Sequence, residues 1–200
     1  MYPAVKRFLD LIAAFCMGII FLPLFLIISL LIFVRMGRPI FFQQQRIGYQ
    51  NKPFTVYKFR TMTNECDATG QLLPDHQRLP KLGAFIRSCS LDELPQLLNI
   101  ITGTMSFIGP RPFITDYLPL YNDEQKRRHN VIPGISGWAQ VNGRNTLSWR
   151  DRFKYDLYYV DHQSFWLDVK IFWMTITKIL KRDGIDEGDG VTMSRFDGNN

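Results

Sequence analysis

Asp92 and Glu93 are adjacent carboxylates in the stretch RSCSLDELPQLLNIITGTMSFIGPRP, Arg87 to Pro112, the part of the chain best equipped for chemistry. One carboxylate can attack phosphorus and form a covalent intermediate, while its neighbour can hold a divalent metal that neutralises a diphosphate. Cations elsewhere in the chain support that use. Lys58 and Arg60 lie two residues apart in an alternating segment, Arg87 precedes the acidic pair, Arg111 belongs to the loop Gly109-Pro110-Arg111-Pro112, and Arg144 closes PGISGWAQVNGR, Pro133 to Arg144. Guanidinium groups match phosphate oxygens in bidentate fashion, and a residue before proline is biased toward extended backbone, so Arg111 is expected on a stiff loop. Phosphoryl transfer is the chemistry this set suits, with arginines facing the equatorial oxygens. A plainer account stands beside it. Ser90 and Glu93 spell the S-x-x-E capping pattern, in which acidic residues serve the first turn of a helix, and an isolated arginine is ordinarily a solvated surface residue.

These groups need elements to position them. A helix beginning near Ser90 would carry Asp92 and Glu93 in its first turn, where two neighbours converge on one ligand more readily than in mid-helix, since adjacent helical residues point about 100° apart. Alternation from Phe54 to Thr61 predicts a strand with Lys58 and Arg60 on one face, and Ile40 to Ile47 is its expected partner across the turn at YQNKP. Residues 64–80 read as loop and Lys81 to Ser88 as a short helix. Near the C-terminus, Phe165, Trp166, Val169, Phe172, Trp173, Ile176, Ile179 and Leu180 recur at helical spacing among Lys170, Lys178, Lys181 and Arg182. That helix packs against a core or lies in a membrane interface; the pattern permits both. From Asp183 the chain is rich in Gly and Asp and reads as irregular.

The front of the chain is different. Leu11 to Val34 carries no charge, and as a straight helix it would span about 36 Å against a hydrocarbon core of about 30 Å. It is too long for a signal peptide and lacks the small-residue cleavage pattern. Pro23, near its centre, cannot donate to Ile19 and is expected to kink or break the helix. Lys6 and Arg7 precede the segment and Arg35 and Arg38 follow it, so the positive-inside rule favours the cytoplasmic side for both ends. A re-entrant helix-break-helix satisfies both flanks. A kinked spanning helix is the alternative, because prolines are tolerated in spans.

Two hundred residues allow one active centre, and the expected division is a membrane element at 1–36, a catalytic domain at 37–182 and an irregular tail at 183–200. The net charge of +6 is concentrated: between Asp10 and Glu65 there is no acidic residue, while Arg35, Arg38, Arg46, Lys52, Lys58 and Arg60 all fall there. Such a surface attracts lipid headgroups, phosphates or nucleic acid. A membrane-tethered protein recruiting anionic lipid or nucleic acid is therefore the second functional reading, although the base-stacking aromatic pattern of a nucleic-acid module is missing and no nucleic-acid partner is expected. Cys16, Cys66 and Cys89 are odd in number and far apart, and His76, His129 and His162 are scattered, which gives no disulfide framework and no closely spaced metal-ligand motif. With no GxGxxG opening a βαβ unit, a Rossmann arrangement has no support, and the expected class is α+β with a small hairpin and several amphipathic interfacial helices.

In the order in which they occur, these motifs give the chain a resemblance to the bacterial sugar transferases, specifically the small monotopic phosphoglycosyl transferases. The matching elements are Lys6-Arg7 with Asp10, Pro23, YKFRTM at Tyr57 to Met62, SLDELPQLLN at Ser90 to Asn99, MSFIGPRP at Met105 to Pro112, PGISGWAQVNGR, YDLYYV at Tyr155 to Val160 and LDVKI at Leu167 to Ile171. The resemblance implies transfer of a phosphosugar from a UDP-sugar to polyprenol (undecaprenyl) phosphate in two covalent steps, releasing UMP, with the product passed to downstream glycosyltransferases. It also implies Asp92 as nucleophile, Glu93 as ligand of Mg²⁺, and Arg87, Arg111 and Arg144 near the phosphates. Asp168 matches a family aspartate whose role is open between function and helix orientation. The short architecture implies a re-entrant N-terminal helix at the cytoplasmic face of the bacterial inner membrane. Leu22 stands where the family often has serine. The tail KRDGIDEGDGVTMSRFDG, residues 181–198, resembles that of members transferring phospho-N,N′-diacetylbacillosamine.

Overall fold

The computed structural model describes residues 2–143, 146–181 and 195–198. It opens with α1, Tyr2–Met36, a helix of 35 residues with Pro23 inside it. The expected helix-break-helix does not resolve into two elements: helical backbone continues across Pro23, which removes only one donor from a long run of apolar residues that favour helix. Its buried residues are Lys6, Asp10, Ala14, Ile28 and Ile32. On an ideal helix these five fall within an arc of about 80°. One face of α1 therefore lies against the rest of the protein near both ends, and the opposite face exposes Phe8, Phe15, Leu26, Leu30 and Val34.

The hairpin forms as the alternation predicts. β1, Phe41–Ile47, pairs antiparallel with β2, Pro53–Phe59, in a register that sets Phe41 opposite Phe59 and Phe42 opposite Lys58. After β2 come α2, Asp75–Arg78, and α3, Lys81–Ser88; a 3₁₀ segment, Leu91–Gln96, then runs directly into α4, Leu97–Thr102. β3, Ser106–Ile108, is followed by α5, Asp123–Lys126, and by β4, Gly134–Ser136, which pairs parallel with β3. This second sheet needs glycine. A Cβ on Gly134 would lie 2.1 Å from the Gly109 nitrogen, so the two backbones can meet only without side chains. α6, Trp138–Asn142, α7, Trp149–Asp161, and α8, Phe165–Lys181, complete the order. The architecture is mixed and helix-dominated, with two two-stranded sheets among the described residues and no doubly wound sheet.

Four apolar clusters hold these elements. Ala14 of α1 packs with Val56, Ile100 and Met105, and Ile28 and Ile32 pack with Phe59 and Ile86, so both halves of α1 contribute to the core. Ile108, Val141, Tyr159 and Ile171 join β3 to α6, α7 and α8. Ile47, Phe113, Tyr121, Trp149, Phe153 and Phe196 form an almost wholly aromatic cluster. The tail thus does more than its composition predicts: residues 195–198 are irregular, yet Phe196 is buried in that cluster. α8 buries Asp168 and Ile171, as a core-packing helix would, while exposing Phe165, Trp166, Phe172 and Trp173.

Candidate active site

The acidic pair sits in the 3₁₀ turn rather than in an α-helix. Ser90, at its start, adopts φ 55° and ψ 20° and makes no side-chain capping bond, so the capping-box reading fails. The carboxylate that would have capped is used elsewhere. Lys58 Nζ donates to Asp92 Oδ2 at 3.0 Å and to Glu93 Oε1 at 2.8 Å, and Arg111 donates to the same Glu93 oxygen at 2.9 Å. Burial alone would raise the pKa of Glu93, but Arg111 and Lys58 outweigh it and hold the carboxyl at about 2. Reciprocally, Glu93 raises the pKa of Arg111.

Asn99 explains how Lys58 meets the pair. Its buried side chain donates to Thr55 O at 2.7 Å and accepts from Tyr57 N at 3.2 Å, clipping α4 to β2 one residue before Lys58. The 3₁₀ turn, which leads directly into α4, is thereby held across from the strand. Arg111 is fixed from behind: Arg128 donates to Arg111 O at 2.6 Å and is paired with Asp156 at 2.7 Å, both fully buried. The same loop is tied to the end of β1, where Ile47 N donates to Phe113 O at 2.9 Å and Arg46 reaches Pro112 O at 3.4 Å.

A cleft of about 1650 Å³ opens on these groups. Lys58, Asp92, Glu93, Arg87 and Arg111 line it, as do Met17 and Phe21 of α1. Arg87 is steadied by a 2.7 Å bond from Nε to Thr61 Oγ1. Arg60 departs from expectation. β2 ends at Phe59, and the Arg60 guanidinium is spent on the carbonyls of Met36, Gly37 and Arg38, satisfying the C-terminal end of α1 rather than standing free for phosphate. Arg60 still lines the cleft, whereas Asp168 is elsewhere: it accepts from Lys6 at 2.6 Å, Tyr2 at 2.5 Å and Tyr159 at 2.8 Å, joining the start of α1 to α7 and α8. Arg144 lies outside the described residues. Pro23 lies within α1 and is exposed.

Three cleft arginines, Arg46, Arg78 and Arg152, escaped the sequence reading. Arg46 was visible only as part of the basic interval; burial and the neighbouring Arg111 charge lower its pKa to about 10. Arg152 had no motif around it, and its guanidinium lies over Trp149 at 5.3 Å and Phe113 at 5.8 Å. Only the fold brings Arg46 and Arg152 to the wall that carries Arg111.

The profile of the family described as Bacterial sugar transferase matches residues 1–182. The chain belongs to that family. Among its relatives, the Bacillus subtilis (strain 168) protein called uncharacterized sugar transferase EpsL is 51% identical over 197 residues, covering 96% of each chain. The undecaprenyl-phosphate glucose phosphotransferase of Komagataeibacter xylinus is 39% identical over 187 residues, and the UDP-N-acetylgalactosamine-undecaprenyl-phosphate N-acetylgalactosaminephosphotransferase of Aeromonas hydrophila is 38% identical over 187. The match spans 35% and 44% of the length of those two proteins. As a sugar transferase, the chain has a reason to hold two carboxylates among cations in one cleft. Phe196, in contrast, lies beyond the segment that the family profile matches.

Proposed function

We propose that this protein transfers a phosphosugar from a UDP-sugar to undecaprenyl phosphate, through a covalent phosphosugar on Asp92. The observation that carries the reading is a single cleft in which Asp92, Glu93, Lys58 and Arg111 converge while Met17 and Phe21 of the apolar helix form part of its wall. A nucleotide diphosphate needs the first set, and a lipid phosphate needs a polar centre reached past apolar side chains. The names of the longer relatives, with undecaprenyl phosphate as acceptor, support the same direction.

In the first step an Asp92 oxygen attacks the phosphorus attached to the sugar, the bond to the UMP oxygen breaks, and UMP leaves with its electron pair. In the second, the phosphate oxygen of the lipid attacks that phosphorus, the bond to Asp92 breaks, and the carboxylate is restored. Lys58 neutralises the nucleophile's approach to an anion, and Arg111 faces charge on the transferring group. Glu93 offers hard carboxylate oxygens of the kind that hold Mg²⁺ together with substrate phosphates, and no cluster of three ligating side chains occurs among the described residues. When bound there, Mg²⁺ would supply charge neutralisation of the diphosphate. The sugar we propose is acetamido, in keeping with the tail resemblance at 181–198.

The proposed topology is monotopic at the cytoplasmic face. Its support is that residues from both halves of α1 pack on the same body, while the exposed apolar face of α8 suits the interface. The decisive assay incubates detergent-purified protein with Mg²⁺, undecaprenyl phosphate and, separately, UDP-glucose, UDP-N-acetylgalactosamine and UDP-N,N′-diacetylbacillosamine, and measures UMP. Release is expected with the acetamido donors. Asp92→Asn should lose at least about 1000-fold in rate, the scale of losing a nucleophile; normal turnover by that variant would remove Asp92 from the mechanism.

A further inference from the structure

We propose that Phe196 is a positioning residue: inserted from the C-terminal segment, it sets the Phe113–Arg152 wall of the cleft and through it the affinity for a diphosphate. Phe196 is 3% exposed. Its ring centre lies 5.1 Å from that of Trp149, 5.3 Å from Phe153, 5.6 Å from Tyr121 and 5.8 Å from Tyr117. Nor are its neighbours Arg195 and Asp197 without partners, so the segment is seated and not merely close.

What Phe196 touches is the back of the site. Trp149 meets Phe113 edge-on at 5.1 Å, and the Arg152 guanidinium lies over both rings. Phe113 and Arg152 both line the cleft, and Phe113 is two residues from Arg111. Interiors are close-packed, so emptying the volume of a buried aromatic lets its neighbours relax into the space. Here the first neighbour to move is Trp149, the platform on which Arg152 rests. Phe196 itself reaches no cleft surface, and its effect must pass through Trp149.

The test compares Phe196→Ala with Phe196→Leu, which leaves a much smaller void, in the full chain. Inorganic diphosphate is titrated into each purified protein, and the KM and kcat for the UDP-sugar donor are measured alongside thermal unfolding. The kinetic arm rests on the transferase reading. The titration does not, so a wild type that releases no UMP sinks that reading and leaves this one to be judged by diphosphate affinity. Phe196→Ala is expected to weaken diphosphate binding and raise KM by roughly tenfold, within the range that remote packing changes reach, with kcat within about twofold. Phe196→Leu should restore both to within about threefold of wild type. A lower unfolding temperature in Phe196→Ala with diphosphate affinity and KM unchanged would overturn the proposal, leaving Phe196 as core filling only. If Phe196→Ala does not fold, the proposal is decided by Phe196→Leu and Phe196→Met: affinity identical to wild type in both overturns it, and graded weakening supports it.

Discussion

Sharing one ammonium between two neighbouring carboxylates organises the site at the level of single residues. Lys58 and Arg111 hold the Glu93 carboxyl at about 2, so Glu93 is ionised far below neutral pH. The local 3₁₀ geometry, entered through a left-handed Ser90, turns Asp92 and Glu93 toward β2 instead of back toward their own turn. Behind this site His129 is buried, bonded to Asn51 at 2.7 Å, and burial together with Arg128 lowers its pKa to about 3. The sign follows from linkage. Between about 6.5 and about 3 the unfolded chain binds the proton and the folded one does not, so stability is full above the unfolded value and falls as pH drops through that window. Thermal unfolding followed from pH 7 to pH 5 should lose up to about 1.4 kcal/mol per pH unit more in the wild type than in His129→Gln. Parallel slopes would mean that His129 takes up its proton in the folded state.

Among the elements, α1 is held by a polar latch as well as by apolar packing. Lys6, Tyr2 and Tyr159 converge on Asp168 at the start of α8, and Arg7 donates to the carbonyls of Ile100 and Ile101 near the end of α4. A membrane helix docked through its charged N-terminus keeps those charges away from hydrocarbon. Breaking a buried ion pair from one side leaves the other charge uncompensated, so Asp168→Asn and Lys6→Met should each cost about 3 kcal/mol. Unfolding in detergent of both single variants and the double should show the double losing well under the sum, because the partners are in contact. Additive losses would separate Lys6 from Asp168.

For the molecule as a whole, the question is where the bilayer lies. A 35-residue helix is long enough to cross, and length alone does not decide the matter. What argues for the re-entrant reading is that Ala14 in one half of α1 and Ile28 and Ile32 in the other pack on one body, with basic residues at both ends. Single cysteines at Val5 or Arg35, introduced with Cys16 and Cys89 replaced by serine, should react with an impermeant reagent from the same face of the membrane as the exposed Cys66. Labelling of the two positions from opposite faces would establish a span.

Much of this could be read from the chain before it folded, and the reason is local. The uncharged run from Leu11 to Val34, the alternation in β2 and the helical spacing of α8 are periodic signals, and periodicity is dictated by neighbours in sequence. The acidic pair was legible because the two residues are adjacent and embedded in ordered family motifs. Which cations face them was not. Lys58 and Arg60 differ by two positions, yet Lys58 meets the carboxylates and Arg60 satisfies the end of α1, since the strand stops between them and Asn99 grips β2 beside Lys58. Composition could mark residues 195–198 as irregular but not show Phe196 buried behind the cleft, because burial depends on partners, Tyr117 to Phe153, that lie tens of residues away. Local pattern determined the elements, the long apolar helix and the acidic pair; only long-range packing decided which cations face that pair and which hold the fold.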